Sequence, residues 1–226
     1  MNWGTTAPMN RGTTVVPRFI GAEVKTGPNE FIANLVPIGQ FQDSFILCQN
    51  NRELIIIDQH AAHEKVLFEK LLDEMERKKM QVQPLLIPVN MELTVAEEQT
   101  LSQHEKLLTD AGFELSPFGG RTYVLRSAPA LIPVEELATA VKDILAGLEQ
   151  NGKADSLEQL HRELAARIAC HAAIKVNRRL EPQEITHLLR QLSRLKLPLS
   201  CPHGRPTILR YSLDEMYKYF LRGKPA

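Results

Sequence analysis

The most informative stretch of this 226-residue chain is residues 53–64, ELIIIDQHAAHE. Its first half is a continuous apolar run, which predicts a buried strand, and from Ala61 apolar residues recur every three or four positions, as in an amphipathic helix. An apolar run at residues 41–48, FQDSFILC, predicts the hairpin partner of that strand. The strand therefore leads directly into a helix, and Asp58 and His60 lie at the junction.

The rest of the chain alternates between short strands and helices. Residues 81–93 predict an edge strand or an extended connector, because two prolines interrupt an apolar run. Thr94 with Glu97 three residues later forms a capping box and predicts the start of a helix that ends at Asp110. Further helices are expected from residues 134, 156, 182 and 213, and further strands at residues 121–126 and 207–212. A mixed α and β fold follows from this pattern.

The charge of the chain is balanced overall but segregated along it. The 27 basic and 27 acidic residues cancel, which excludes a protein that coats DNA through bulk positive charge. Residues 1–160 hold 14 basic and 22 acidic side chains, whereas residues 161–226 hold 13 and 5. Such asymmetry is typical of a surface that meets a polyanion, although solvated helix faces also collect arginine and lysine. Three cysteines without a CxxC pair, and no signal peptide or apolar span, indicate a soluble intracellular protein.

The strand–helix junction places three potential metal ligands together. If the helix begins near His60, then His60 and Glu64 lie four residues apart on one face, with Asp58 just before them. An imidazole and two carboxylates form a half-site suited to zinc or manganese. The alternative is that Asp58 caps the helix and His60 is a satisfied polar residue at its start.

A second potential ligand group lies near the C-terminus. In the extended stretch Cys201-Pro202-His203-Gly204, the thiolate and the imidazole are two residues apart and can bind one ion together. The alternative is a buried cysteine beside a surface histidine. Cys170, in a predicted helix, is either a small core residue or a further ligand.

The spacing of the junction residues resembles the DQHA(X)2E(X)4E endonuclease signature of the MutL family of DNA mismatch-repair proteins, here residues 58–69. Three further motifs follow in the family's order. Residues 169–171 (ACH) are similar to its Ala-Cys-Arg element, residues 201–206 match its CPHGRP element, and residues 220–222 (FLR) fit its FxR element. His171 stands where the family usually has arginine, so no role is carried over to that side chain.

The resemblance implies a bacterial nicking endonuclease that hydrolyses phosphodiester bonds in double-stranded DNA, with Zn²⁺ in a regulatory or structural capacity and Mn²⁺ for turnover. Asp58, His60 and Glu64 are its expected catalytic residues. The resemblance implies six metal-binding residues: Asp58, His60, Glu64, Cys170, Cys201 and His203. Gln59, Glu69 and Arg205 are expected to support the ligands or contact phosphate. Glu69 lies about 140° around the helix from Glu64, which favours a supporting role, and Arg205 could equally bond carbonyl groups of its own loop.

Residues 83–88, QPLLIP, have the form QxxLxP. This form is similar to the motif by which bacterial repair proteins bind the sliding clamp, with Gln83, Leu86 and Pro88 as the binding residues. The same residues could instead form an edge strand that packs on the core. Binding to a clamp around DNA would raise the local concentration of the chain at DNA without a large basic surface.

The resemblance also implies a two-lobed α/β (α+β) fold. Residues 1–28 are expected to be a linker or tail. Residues 29–80 and 156–226 are expected to form a dimerisation and endonuclease lobe with a mixed sheet, and residues 81–155 an inserted external regulatory lobe.

The expected partners are a second copy of the chain, the sliding clamp (its beta subunit), double-stranded DNA, the N-terminal ATPase domain of the same protein and a mismatch-recognition protein. ATP is not expected to bind this chain, because no Gly-rich nucleotide-binding motif occurs in it. The expected location is the cytoplasm, at the nucleoid and not at a membrane.

Two other functions remain open at this point: a non-catalytic dimerisation and clamp-binding module with a structural zinc site, and an unrelated metallohydrolase acting on small phosphoesters. The set of Asp58, His60 and Glu64 favours the nuclease, because a dimerising module does not need it.

Overall fold

The computed structural model describes residues 18–19, 30–150, 156–175, 177–195 and 206–220. Its elements, in chain order, are β1 (Arg18–Phe19), α1 (Glu30–Ala33), β2 (Val36–Phe41), β3 (Phe45–Gln49), β4 (Glu53–Asp58), α2 (Gln59–Glu76), β5 (Val82–Glu92), α3 (Val95–Asp110), β6 (Glu114–Gly119), β7 (Thr122–Pro129), α4 (Leu137–Gln150), α5 (Leu157–Ala172), α6 (Pro182–Ser193), β8 (Ile208–Ser212) and α7 (Leu213–Tyr219). One 3-10 turn, Val134–Glu136, precedes α4. The predicted mixed α and β class is confirmed.

The first sheet has the strand order β1-β8-β4-β3-β2. The predicted hairpin of β3 and β4 is present, with Ile46 opposite Ile57. A mixed sheet was expected, but every described strand pair in this sheet is antiparallel. The reason is that short turns join β2, β3 and β4, and β8 enters beside β4 in the opposite direction. Ile55 and Ile57 are fully buried on one face.

The second sheet is built from β5, β7 and β6, in that order, and is also antiparallel. β5 is an edge strand, as the two prolines predicted. The register of β5 against β7 shifts between Pro84 and Val89, so the residues between them leave the ladder. The capping box of α3 is present, since Glu97 and Thr94 bond each other's backbone N–H at 2.7 and 3.2 Å.

Two hydrophobic cores lie on either side of α2. Ala62 and Val66 pack with the first sheet, α1 and α6. Phe68 and Leu71, further along α2, pack with the second sheet, α3, α4 and α5. Leu71 is fully buried, so truncating it to alanine should cost about 2–5 kcal/mol. Because it is held in both cores, α2 gives its N-terminal turn a fixed position. Among the described helices, none is both long enough and apolar enough to cross a membrane.

Candidate functional site

The junction between β4 and α2 is fixed by hydrogen bonds from three sides. The Oδ1 atom of Asp58 accepts the backbone N–H of Ala61 at 2.9 Å, so Asp58 caps α2. The backbone N–H of Asp58 donates to the carbonyl of Thr207 at 3.0 Å, and that of Gln59 donates to the carbonyl of Ser44 at 3.1 Å. Asp58 is half-buried, and its cap bond uses only one of its two carboxylate oxygens.

Gln59 supports the junction from inside the protein. Its side chain is fully buried, and its Nε2 donates to the carbonyl of Asp43 at 2.7 Å and to that of Arg178 at 2.9 Å. The amide of Gln40 donates to its Oε1. Both N–H groups of Gln59 are therefore engaged with backbone carbonyls.

His60 is held in one tautomer by the backbone that follows α5. Its Nδ1 lies 2.9 Å from the carbonyl oxygen of Ile174. Because a carbonyl oxygen can only accept, the Nδ1 of His60 carries the hydrogen and donates it. The neutral ring then has its lone pair on Nε2, which is the arrangement by which metal-binding histidines are oriented in proteins.

The same residue, Ile174, also fixes His63. The backbone N–H of Ile174 donates to the Nδ1 of His63 at 2.9 Å. Burial, together with the nearby positive charge of Arg178, lowers the pKa of His63 from its ordinary value of 6.5 to about 4. His63 is therefore neutral at physiological pH, with its Nδ1 lone pair available to Ile174. Both histidines of the first turns of α2 are bonded to one backbone residue of the α5 segment.

The two glutamates of the signature lie in different environments. Glu64 is one turn beyond His60 and only 3% exposed. Glu69 is half-buried and accepts a hydrogen bond from the Nζ of its helix neighbour Lys65 at 2.6 Å. Glu69 thus forms an i,i+4 pair with Lys65 on another side of α2, as its position around the helix predicted.

The C-terminal end of α5 carries Cys170 and His171. Cys170 is exposed. The Nε2 of His171 lies 3.3 Å from the Oδ2 of Asp143 in α4, and its Nδ1 lies 3.9 Å from the Oε2 of Glu136. The residue in place of the family's arginine thus faces two carboxylates of the segment that includes α4.

The expected ligands fall into a described and an undescribed group. Asp58, His60 and Glu64 share the junction and the first turns of α2. Cys201, His203 and Arg205 lie outside the described residues, as does the end of the FxR element at residue 222. Among the residues that the structure does describe, no set of three His, Cys, Asp or Glu side chains is placed to hold a metal ion. A complete site therefore needs donors from outside the described ranges.

Sequence reasoning missed the roles of His63 and Ile174. The spacing His60-x-x-His63 puts both rings on neighbouring positions of one helix face, which could have drawn attention to His63. No sequence signal indicates Ile174, because it acts through its backbone and lies 114 residues from His60.

The predicted clamp motif lies on β5. Leu86 is 99% exposed and Ile87 is 79% exposed, and both are in the part of β5 that leaves the ladder. The Nε2 of Gln83 donates to the carbonyls of Pro129 at 3.3 Å and Ile132 at 2.8 Å. The motif therefore combines an apolar protrusion with an anchored glutamine at its base.

Residues 38–180 match the family model of the MutL C terminal dimerisation domain. The chain is similar to the DNA mismatch repair protein MutL of Koribacter versatilis, with 42% identity over 84% of this chain and 30% of that protein. The MutL proteins of a Geobacter species and of Symbiobacterium thermophilum are 38% identical over 85% and 92% of this chain and 30% and 32% of their own lengths. The chain thus spans about a third of the length of these curated relatives.

Proposed function

This chain belongs to the MutL family of DNA mismatch repair proteins, and from that premise we propose that it is a homodimeric, metal-dependent endonuclease domain that nicks double-stranded DNA. The observation that carries the proposal is the tautomer of His60. Its Nδ1 is committed to the carbonyl of Ile174, which leaves the Nε2 lone pair for a divalent ion, to which Asp58 and Glu64 would also contribute.

The donors at the junction fit a metal ion in kind. A neutral imidazole nitrogen and carboxylate oxygens suit Zn²⁺ and Mn²⁺. His60, Asp58 and Glu64 would supply these donors, and Cys201 and His203, outside the described residues, would complete the set. Cys170 is a further candidate because it is exposed at the end of the helix that leads to Ile174.

The residues of the site would contribute in distinct ways. A bound divalent ion supplies a nucleophilic water of lowered pKa and neutralises charge on the phosphate. Asp58 would combine two tasks, since its Oδ1 caps α2 and its other carboxylate oxygen would bind the ion. His60 holds its donor nitrogen in a fixed orientation through Ile174. The positive end of the α2 dipole lies at the same place and favours an anionic phosphate.

The homodimer is expected to form on the open face of the first sheet. The residues that alternate with its buried face are apolar and are exposed or half-buried: Phe41, Phe45, Leu47, Leu54, Ile56, Leu209 and Tyr211. Val36 and Phe41 on the edge strand β2 are each 56% exposed. A contiguous apolar sheet face of this kind is typical of a protein–protein interface. The match to a dimerisation domain supports the homodimer itself.

Clamp binding is a second part of the proposal. Leu86 is almost fully exposed and Ile87 largely exposed, so neither is part of the core that the described residues form. Such apolar side chains at a sheet edge favour a partner. Gln83, anchored to residues 129 and 132, would hold the base of this protrusion in place.

The nuclease proposal is tested by incubating the chain with supercoiled plasmid and Mn²⁺. We expect open-circular product that EDTA abolishes, and weak activity, because the chain spans only about a third of the length of its relatives. Metal analysis of the purified chain, with and without Cys201→Ser, separates the rivals. A structural-zinc module loses zinc in the variant but never nicks DNA, whereas a small-phosphoester hydrolase cleaves a nitrophenyl phosphate but leaves the plasmid closed.

A further inference from the structure

One side of α6 carries a line of exposed basic side chains. His187, Arg190 and Arg194 are exposed, while the opposite side of the helix, with Leu188 and Leu192, is buried in the first core. At about 100° per residue, the three basic positions lie within about 60° of one another around the helix. We refer to His187, Arg190 and Arg194 as the α6 basic stripe.

The stripe has positive charge that the described protein does not neutralise. Arg178, just before α6, pairs with Glu184 at 2.7 Å, and Glu184 also accepts the backbone N–H of Glu181. The carboxylate of Glu184 is thus engaged with groups other than the stripe. Within the described ranges, no carboxylate forms an ion pair with Arg190 or Arg194.

The stripe begins beside the candidate site. α6 packs against α2, the helix that begins at the candidate site. The carbonyl of Arg178, in the segment that leads into α6, bonds the side chain of Gln59 at the junction. From His187 the stripe runs away from the site along α6 to Arg194, a distance of about 10 Å at 1.5 Å per residue.

We propose that the α6 basic stripe binds the phosphate backbone of duplex DNA next to the position where a strand is cut. The inference rests on the proposed nuclease function, because that function brings DNA to the junction. A length of about 10 Å matches about three base pairs at 3.4 Å each along the DNA axis. Arginine is suited to the task because its guanidinium group binds phosphate oxygens in a bidentate manner.

The stripe accounts for how a chain with no net charge can position DNA. Two arginines give only a few phosphate contacts, so binding is weak and depends strongly on salt. The stripe then sets the direction in which the duplex passes the junction, and the clamp supplies the remaining affinity.

The test is the salt dependence of DNA binding by the double variant Arg190→Gln/Arg194→Gln. Binding of a short fluorescent duplex is followed by anisotropy in EDTA, so that the result does not depend on whether the chain nicks DNA. Each phosphate contact contributes about 0.9 to the slope of log Kd against log salt concentration, so we expect the slope to fall by about 1.8. The control variant Lys106→Gln/Lys142→Gln removes the same charge from exposed positions of α3 and α4 and should leave the slope as in the parent.

Three results would overturn the stripe. The first is an unchanged slope in the arginine variant, and the second is an equal fall in both variants, which would show an effect of net charge only. The third is no measurable binding of duplex by the parent chain at the lowest salt. If the parent chain nicks plasmid but the arginine variant keeps the parent's salt slope, the stripe is refuted and the nuclease function stands. If the slope falls but the parent does not nick, the nuclease function is refuted and DNA binding by the stripe stands.

Discussion

Replacing His63 by leucine should weaken metal binding at the proposed site around His60, even though His63 is not one of its proposed ligands. The Nδ1 of His63 accepts the N–H of Ile174 at 2.9 Å, and the carbonyl of Ile174 accepts the Nδ1–H of His60 at 2.9 Å. Leucine fills a similar volume but offers no acceptor, so the N–H of Ile174 loses its partner. Because Ile174 is only half-buried, the cost should lie in the lower part of the usual range, about 1–2 kcal/mol of unfolding free energy.

The effect on His60 is the informative part of this prediction. When Ile174 is no longer held, its carbonyl ceases to fix the tautomer of His60, and the Nε2 lone pair is available only part of the time. The loss of such a supporting contact typically costs about 10–100-fold in metal affinity. We expect a loss of this size for Zn²⁺, measured by competition with a chromophoric chelator.

His63→Asn is the matched control, because its side-chain oxygen can take the place of the Nδ1 acceptor and should restore both properties. Nitrogen-15 NMR of the imidazole groups in the metal-free protein reports the tautomer of His60 directly. The reasoning is refuted if His63→Leu folds, keeps the Nδ1–H tautomer of His60 and binds Zn²⁺ as tightly as the parent.

Three further outcomes follow from the described contacts. Phe41→Glu, on the open face of the first sheet, should convert the dimer to monomer in sedimentation analysis. The control Phe118→Glu, at a side chain that is 72% exposed in the second sheet, should leave the dimer intact. If the Phe41→Glu variant is still a dimer, the interface lies elsewhere. Leu86→Ala should abolish clamp binding in a pull-down without lowering the melting temperature, because the side chain is 99% exposed; retained binding removes the motif from the account. Burial alone would raise the pKa of Glu53, but hydrogen bonds from Arg210 at 2.5 and 2.7 Å help to lower it below its ordinary value. Glu53→Gln should therefore lower the free energy of unfolding by about 1 kcal/mol near neutral pH. The difference in unfolding free energy between the parent and Glu53→Gln should have its full size above the unfolded pKa of about 4.3 and vanish as the pH falls through the lowered folded pKa. A difference that does not change with pH in urea titrations would contradict this prediction.

Those parts of the fold that depend on short-range pattern were predictable. The run of isoleucines in β4, the change to helical spacing at Ala61 and the capping box at Thr94 all appear in the structure where they were expected. In each case neighbouring residues dictate the same local structure, so the sequence pattern is sufficient.

Strands β2 and β6 were not predicted, because each contains proline and glycine. Pro37 and Gly39 interrupt the apolar alternation of β2, and Pro117 and Gly119 do the same in β6. The register shifts at these residues, and each strand is completed by pairing with a neighbour that sequence pattern does not reveal. The antiparallel order of the first sheet was missed for a related reason, since it depends on the late return of β8 to pair with β4.

The candidate site also has a part that was predictable from the sequence and a part that was not. The ligand types at Asp58, His60 and Glu64 and their positions on one helix follow from spacing. The contact that orients His60 comes from the backbone of Ile174, and backbone atoms carry no residue-specific signal. Contacts of this kind become visible only when α5 is packed against α2.

The most direct test of the nuclease function compares plasmid nicking by Asp58→Asn and Asp73→Asn. Asparagine is as good a helix cap as aspartate, so Asp58→Asn removes a metal-binding carboxylate while α2 remains capped. Asp73 lies on the same helix and is exposed, and its one ion pair among the described residues is with Arg77 at 2.8 Å. Its variant therefore controls for the loss of one negative charge. We predict that the parent and Asp73→Asn nick plasmid with Mn²⁺ at the same rate and that Asp58→Asn does not nick it. Equal nicking by Asp58→Asn, or no Mn²⁺-dependent nicking by the parent, would contradict the account.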